Sequence, residues 1–240
     1  MRNLDPVAVW YLGFFGLVIP FVVIRGRSRG RAGIGIPPLK KQALQTLLME
    51  LLFLVIAFSS ARARGIQVFT RGSLPLKAIV LAAVVFVLGL FTLPLRWKLL
   101  STEQKLKSLA TRPQKPGDLA PWFAVSLAAG IIEEVVYRGV MMAFLMPVTR
   151  NWWLSVAICV FLFALGHLNQ PILMVALVLV PLTIALHLLV AWTGSLNLAM
   201  TLHFLYDFCA GFIFIRIASQ RSNLSLSAEP EAYPSPSAKQ

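Results

Sequence analysis

The chain has 240 residues, of which 58% are hydrophobic and 13% charged, with a formal net charge of +13. A soluble domain is about 45–50% apolar and about 25% charged, so this composition argues against an ordinary water-soluble globule. The placement of the charge argues against nucleic-acid binding: Arg25, Arg27, Arg29, Arg31, Lys40 and Lys41 fill one gap between apolar runs, and a second cluster spans Arg96 to Lys115, as topology-fixing charges do.

Seven apolar runs follow in chain order, at 6–24, 43–61, 78–95, 120–147, 152–170, 172–192 and 195–217. Each is near the roughly 20 residues that carry a helix across a hydrocarbon core of about 30 Å. Lipid offers backbone groups no partners, and the runs lack the alternation of a membrane barrel, so helix is the predicted state. The first run ends in Val23-Ile24-Arg25-Gly26-Arg27 rather than in a small-residue cleavage site, and reads as a retained anchor. Pro20, Pro94, Pro147 and Pro181 fall near ends or kinks, and Pro171 divides the fifth run from the sixth. The hydrophilic 96–118 gap is predicted to hold a surface helix before Pro121, and the polar tail to be disordered.

These readings give an all-α, polytopic transmembrane helix bundle of about seven spans. Residues 1–117 supply N-terminal membrane helices and basic loops, 118–217 a core of four further helices, and 218–240 the tail. Fifteen of the 22 Lys and Arg residues fall in the 25–41 gap, the 96–118 gap and the tail, against six on the alternate side. The positive-inside rule then places the C-terminus in the cytoplasm, and in a bacterium the membrane would be the inner one. Cys159 and Cys209 sit inside apolar runs as small hydrophobes, without a disulfide framework. Internal repeats are not evident, which disfavours a transporter built from duplicated halves.

The fourth run contains Glu133, Glu134 and Arg138. Each ionisable group costs about 2.5–3.5 kcal/mol at the centre of a membrane helix, so compensation is required. Glu134 and Arg138 are four residues apart and can pair on one helix face. Glu133 is turned about 100° from Glu134 and has no partner in its own helix, which leaves it available for chemistry.

From Asn151 to Tyr206 there is no Asp, Glu, Lys or Arg, yet all three histidines lie there. Histidine is the side chain suited to moving protons near neutral pH or to binding a metal. His167 closes the fifth run, and His203 shares a helix face with Asp207 four residues on. His187 has no polar neighbour on its own turn and reads as structural; Glu50, alone in the second run, receives no role.

Three segments in order, Glu133-Glu134-x-x-x-Arg138, Phe163-x-x-x-His167 and His203-x-x-x-Asp207, resemble the signature motifs of the CAAX-protease and bacteriocin-processing (abortive-infection) family of intramembrane proteases. That family includes the type II CAAX prenyl endopeptidases, and the resemblance covers roughly 118–215. It implies an enzyme, an intramembrane endopeptidase acting on a membrane-associated peptide or protein, with Glu133 and His167 activating water, and with His203 and Asp207 stabilising the oxyanion. Many relatives carry Asn where this chain has Asp207; an ionised Asp cannot donate to an oxyanion, so here it is either protonated or orients His203.

The resemblance implies a metal-free glutamate mechanism without a cofactor. The alternative is a zinc protease with Glu133, His167 and His203 as ligands, although His-Glu-x-x-His is absent. A non-catalytic immunity or scaffold protein, in which the polar set glues helices, and a proton-coupled carrier are the readings from other classes. The expected partners are the bilayer and a membrane-associated peptide or protein, with no nucleic acid.

Overall fold

The computed structural model describes residues 5–30, 38–102, 104–105, 112–113, 116–168, 170 and 172–226. Among these, seven long helices form and no strand: α1 (Pro6–Arg25), α2 (Leu39–Ala63), α3 (Leu76–Leu99), α4 (Leu119–Thr149), α5 (Trp152–Gly166), α6 (Ile172–Thr193) and α7 (Asn197–Leu226). Five of them, α1, α2, α3, α4 and α6, are long and apolar enough to cross a membrane. Leu17, Leu76, Phe91 and Ile172 are each at least 70% exposed, and so many bare apolar side chains have their natural solvent in lipid. The chain is an integral membrane protein.

Local chemistry sets the helix ends. Asp5 caps α1 by accepting from the Ala8 N–H, with Pro6 at the first helical position, and Asp5 also pairs with Arg64 just past α2. Asn151 accepts from the Leu154 N–H to start α5. Gly194 takes the left-handed conformation, φ 68°, that stops α6.

Pro20 and Pro181 lie inside α1 and α6 without breaking them. The residues four before Pro20 and Pro181 are Gly16 and Leu177, where the proline ring would clash with the carbonyl. Each sits mid-way in a widened π-helical turn, Phe14–Val18 and Val175–Leu179, and the wider turn makes room for the ring. Pro171 itself lies outside the described residues.

A third widened segment, Glu134–Met141, falls on the first motif, and no proline explains it. Its backbone is tied to neighbouring helices instead. The Tyr11 hydroxyl of α1 donates to the Val136 carbonyl at 3.0 Å, and the Cys159 thiol of α5 lies 3.6 Å from the Tyr137 carbonyl. Neighbouring helices thus supply partners to an irregular membrane backbone, and π-turns of this kind mark functional sites in many helices.

One core joins both halves of the chain. Tyr11, Phe15, Ala57 and Ala61 from α1 and α2 pack with Val135, Val136, Val140 and Phe163 from α4 and α5. The backbones of α4 and α7 approach closely at Gly130, where a Cβ would stand 2.6 Å from the Phe204 backbone nitrogen. Ser126, one turn earlier, is also buried, so the pair makes the small-residue contact by which membrane helices approach.

The fifth span is shorter than the expected 152–170. It ends at Gly166, and His167 has left helical geometry. Fifteen residues rise about 22 Å, less than the roughly 30 Å core, so α5 stops short of a full crossing and delivers His167 at depth. The predicted surface helix in 96–118 lies partly outside the described residues; α7 continues to Leu226, and the remainder of the expected tail also lies outside them.

Candidate active site

The Glu134 carboxylate is fully buried on α4 and would be untenable alone. Its Oε1 lies 3.1 Å from Arg138 Nη1, one turn on, and accepts from His203 Nδ1 of α7 at 2.8 Å. The expected pair is present, and it has a third member: Glu134 fixes His203. Asp207, the partner expected for His203 on its own helix, stands at 3.6 Å from Nε2 and is partly exposed. That is beyond a hydrogen bond, so orientation comes across the α4–α7 interface.

Arg138 is 4% exposed, and its Nε and Nη2 have no hydrogen-bond partner among the described residues. Its guanidinium lies over the ring of Phe163, 4.9 Å from the centroid, which returns part of the desolvation cost as a cation–π contact. The same Phe163 holds the next motif residue. The His167 ring packs on it at 4.4 Å, and His167 Nδ1 donates to the Phe163 carbonyl at 2.9 Å. Because a carbonyl only accepts, this bond puts the proton of a neutral ring on Nδ1 and leaves Nε2 as its lone-pair nitrogen.

Glu133 links the two histidines. Its Oε2 lies 3.8 Å from His203 Nε2, and its side chain lines a cavity of about 200 Å³ together with His167. A liquid water occupies about 30 Å³, so several fit. The walls come from α1 (Ile19, Val22, Val23), α2 (Met49, Glu50), α4 (Glu133, Tyr137) and α5 (His167). Val22 and Met49 are about half exposed on the outer face, so this wall borders lipid.

Two residues set aside on sequence grounds have definite places. Glu50, on α2, lines the same cavity as Glu133 and His167. The signal was available, since a carboxyl in a membrane helix is functional by default; what hid it was the lack of any partner at helical spacing. His187 is buried, with Nδ1 donating to the Thr183 carbonyl at 2.9 Å, and it lines a second cavity beside Arg138. Among the described residues no three His, Cys, Asp or Glu side chains converge closely enough to hold a metal ion, Glu133, His167 and His203 included.

Residues 115–209, which contain all six motif residues, match the family described as Type II CAAX prenyl endopeptidase Rce1-like. No curated protein and no solved structure matches the chain.

Proposed function

We propose that this chain, through the segment it shares with the type II CAAX prenyl endopeptidases, is an intramembrane endopeptidase that hydrolyses a peptide bond of a membrane-associated substrate with Glu133 as base. The observation that carries the reading is one cavity at membrane depth holding a carboxylate that faces one imidazole while sharing its wall with another.

Amide hydrolysis in a dry site needs a base for water and a donor for the developing oxyanion. Glu133 takes the proton from a water in the cavity, and His167, whose free Nε2 is an acceptor, fixes that water by its second proton. The oxygen adds to the substrate carbonyl carbon. Negative charge grows on the carbonyl oxygen, which accepts from the Nε2–H of a doubly protonated His203 whose Nδ1–H stays on Glu134. Glu134 and Arg138 stay outside the reaction: they hold the ring and balance its charge. Asp207, 3.6 Å from Nε2, adds negative charge beside the ring without holding it.

The lipid-facing wall at Val22 and Met49 suits a substrate that arrives laterally, already held at the bilayer by an apolar or prenylated segment. The test uses purified protein in phosphatidylcholine and phosphatidylglycerol vesicles with a quenched, prenylated CAAX peptide. Wild type cleaves it, and Glu133→Gln unfolds at the same temperature yet is silent. Parallel loss of fold and cleavage in Glu133→Gln would instead make the polar set structural glue.

A further inference from the structure

We propose that Glu50 is a second catalytic carboxyl, the general acid that protonates the leaving nitrogen; this rests on the peptidase reading of the cavity it lines.

Glu50 is 6% exposed, and its Oε2 has no hydrogen-bond partner among the described residues. Of the residues three and four away on α2 only Thr46 is polar, and no Lys or Arg of that helix reaches Glu50: Lys40, Lys41 and Arg62 lie at the two ends. An unpartnered carboxyl oxygen shut off from bulk water favours the uncharged acid. It lines the same cavity as Glu133, which has His203 Nε2 beside it at 3.8 Å. Two carboxyls bordering one small cavity, one beside an imidazole and one without a partner, are placed as base and acid.

The base mechanism leaves open which group delivers a proton to the leaving nitrogen. Glu133 removes a proton from water as the new C–O bond forms and the carbonyl π pair moves to oxygen. When the tetrahedral carbon collapses, that pair returns and the C–N bond breaks with its electrons on nitrogen. An amide anion is too basic to leave unprotonated. The Glu50 proton goes to the nitrogen, giving a neutral amine, and the proton held by Glu133 then passes through cavity water to Glu50. Water and amide become acid and amine, and both carboxyls regain their starting states.

The role is separable from structure by changing the leaving group. An ester leaves as an alkoxide far less basic than an amide anion, so it needs the acid much less. The experiment compares the quenched prenylated peptide with its depsipeptide, in which the scissile amide is an ester, in the vesicles described above. Glu50→Gln is expected to lower kcat for the amide by about 100-fold with KM little changed, while ester cleavage stays within about 3-fold of wild type; Glu133→Gln loses both. Glu50→Asp, which keeps a transferable proton, is expected to recover at least about a tenth of the amide rate. Equal loss of both activities in Glu50→Gln, or loss of neither, overturns the acid role while leaving the peptidase reading intact. Wild type cleaving neither probe overturns the peptidase reading and the acid role with it.

Discussion

His203 Nδ1 on α7 lies 2.8 Å from Glu134 Oε1 on α4, and that same oxygen holds Arg138 at 3.1 Å. One carboxylate therefore compensates a cation on its own helix and aims an imidazole on another. The adjacent Glu133, turned to a different face, is spared this duty. The two neighbouring glutamates differ because only Glu134 reaches the histidine ring edge and the arginine together, and the proposed mechanism gives the reaction to Glu133.

That division predicts different stabilities for neighbouring substitutions that both silence the site. Glu134→Ala leaves Arg138 buried without its counter-ion, and breaking a buried pair in this way costs about 3–5 kcal/mol. It should lower the unfolding midpoint in detergent and abolish cleavage. Glu133 makes no close ion pair, so Glu133→Gln should abolish cleavage with the midpoint unchanged. Equal midpoints for the two variants would contradict the geometry.

Phe163 supports two motifs at once, with Arg138 over its ring and His167 packed against it. Phe163→Leu keeps the volume approximately but removes the ring face, a contact worth about 0.5–2 kcal/mol. The expected outcome is a modest stability loss with a disproportionate fall in kcat, since a mispositioned catalytic group costs far more in rate than in folding. A Leu variant with unchanged kcat would show that His167 is held by its backbone bond alone.

How much of this was legible in the sequence follows the range of each interaction. Hydrophobic runs report solvation by lipid, so the helices could be placed from residues alone, and the Glu134–Arg138 pair follows from four-residue spacing. The Glu134–His203 bond joins residues 69 apart, and no periodicity reveals it. No periodicity marks Glu50 either, because its company comes from α4 and α5. The early end of α5 was missed since Leu168 prolongs the apolar pattern past Gly166, although the helix does not follow it.

The proposed chemistry runs on carboxyls and imidazoles. Cleavage should therefore persist after exhaustive treatment with a strong chelator, and elemental analysis of the active, chelated protein should find no stoichiometric zinc. Loss of activity on chelation, restored by zinc, would replace the glutamate mechanism with a metal-dependent one.

The α4–α7 crossing sets the distance on which the site depends. A Cβ at Gly130 would meet the Phe204 nitrogen at 2.6 Å and its Cα at 2.8 Å, backbone atoms that cannot rotate aside as a side chain tip would. Gly130→Ala must push the helices apart. Phe204 follows His203 directly, and Gly130 precedes Glu134 by one turn, so the displacement falls on the 2.8 Å bond between them. Alanine is the better helix former by about 1 kcal/mol, and a stability gain would follow if the crossing were loose. The expected result is the reverse: a lowered unfolding midpoint and loss of cleavage, with Ser126→Ala, on the same face but one turn further from the histidine, affecting the midpoint more than the rate.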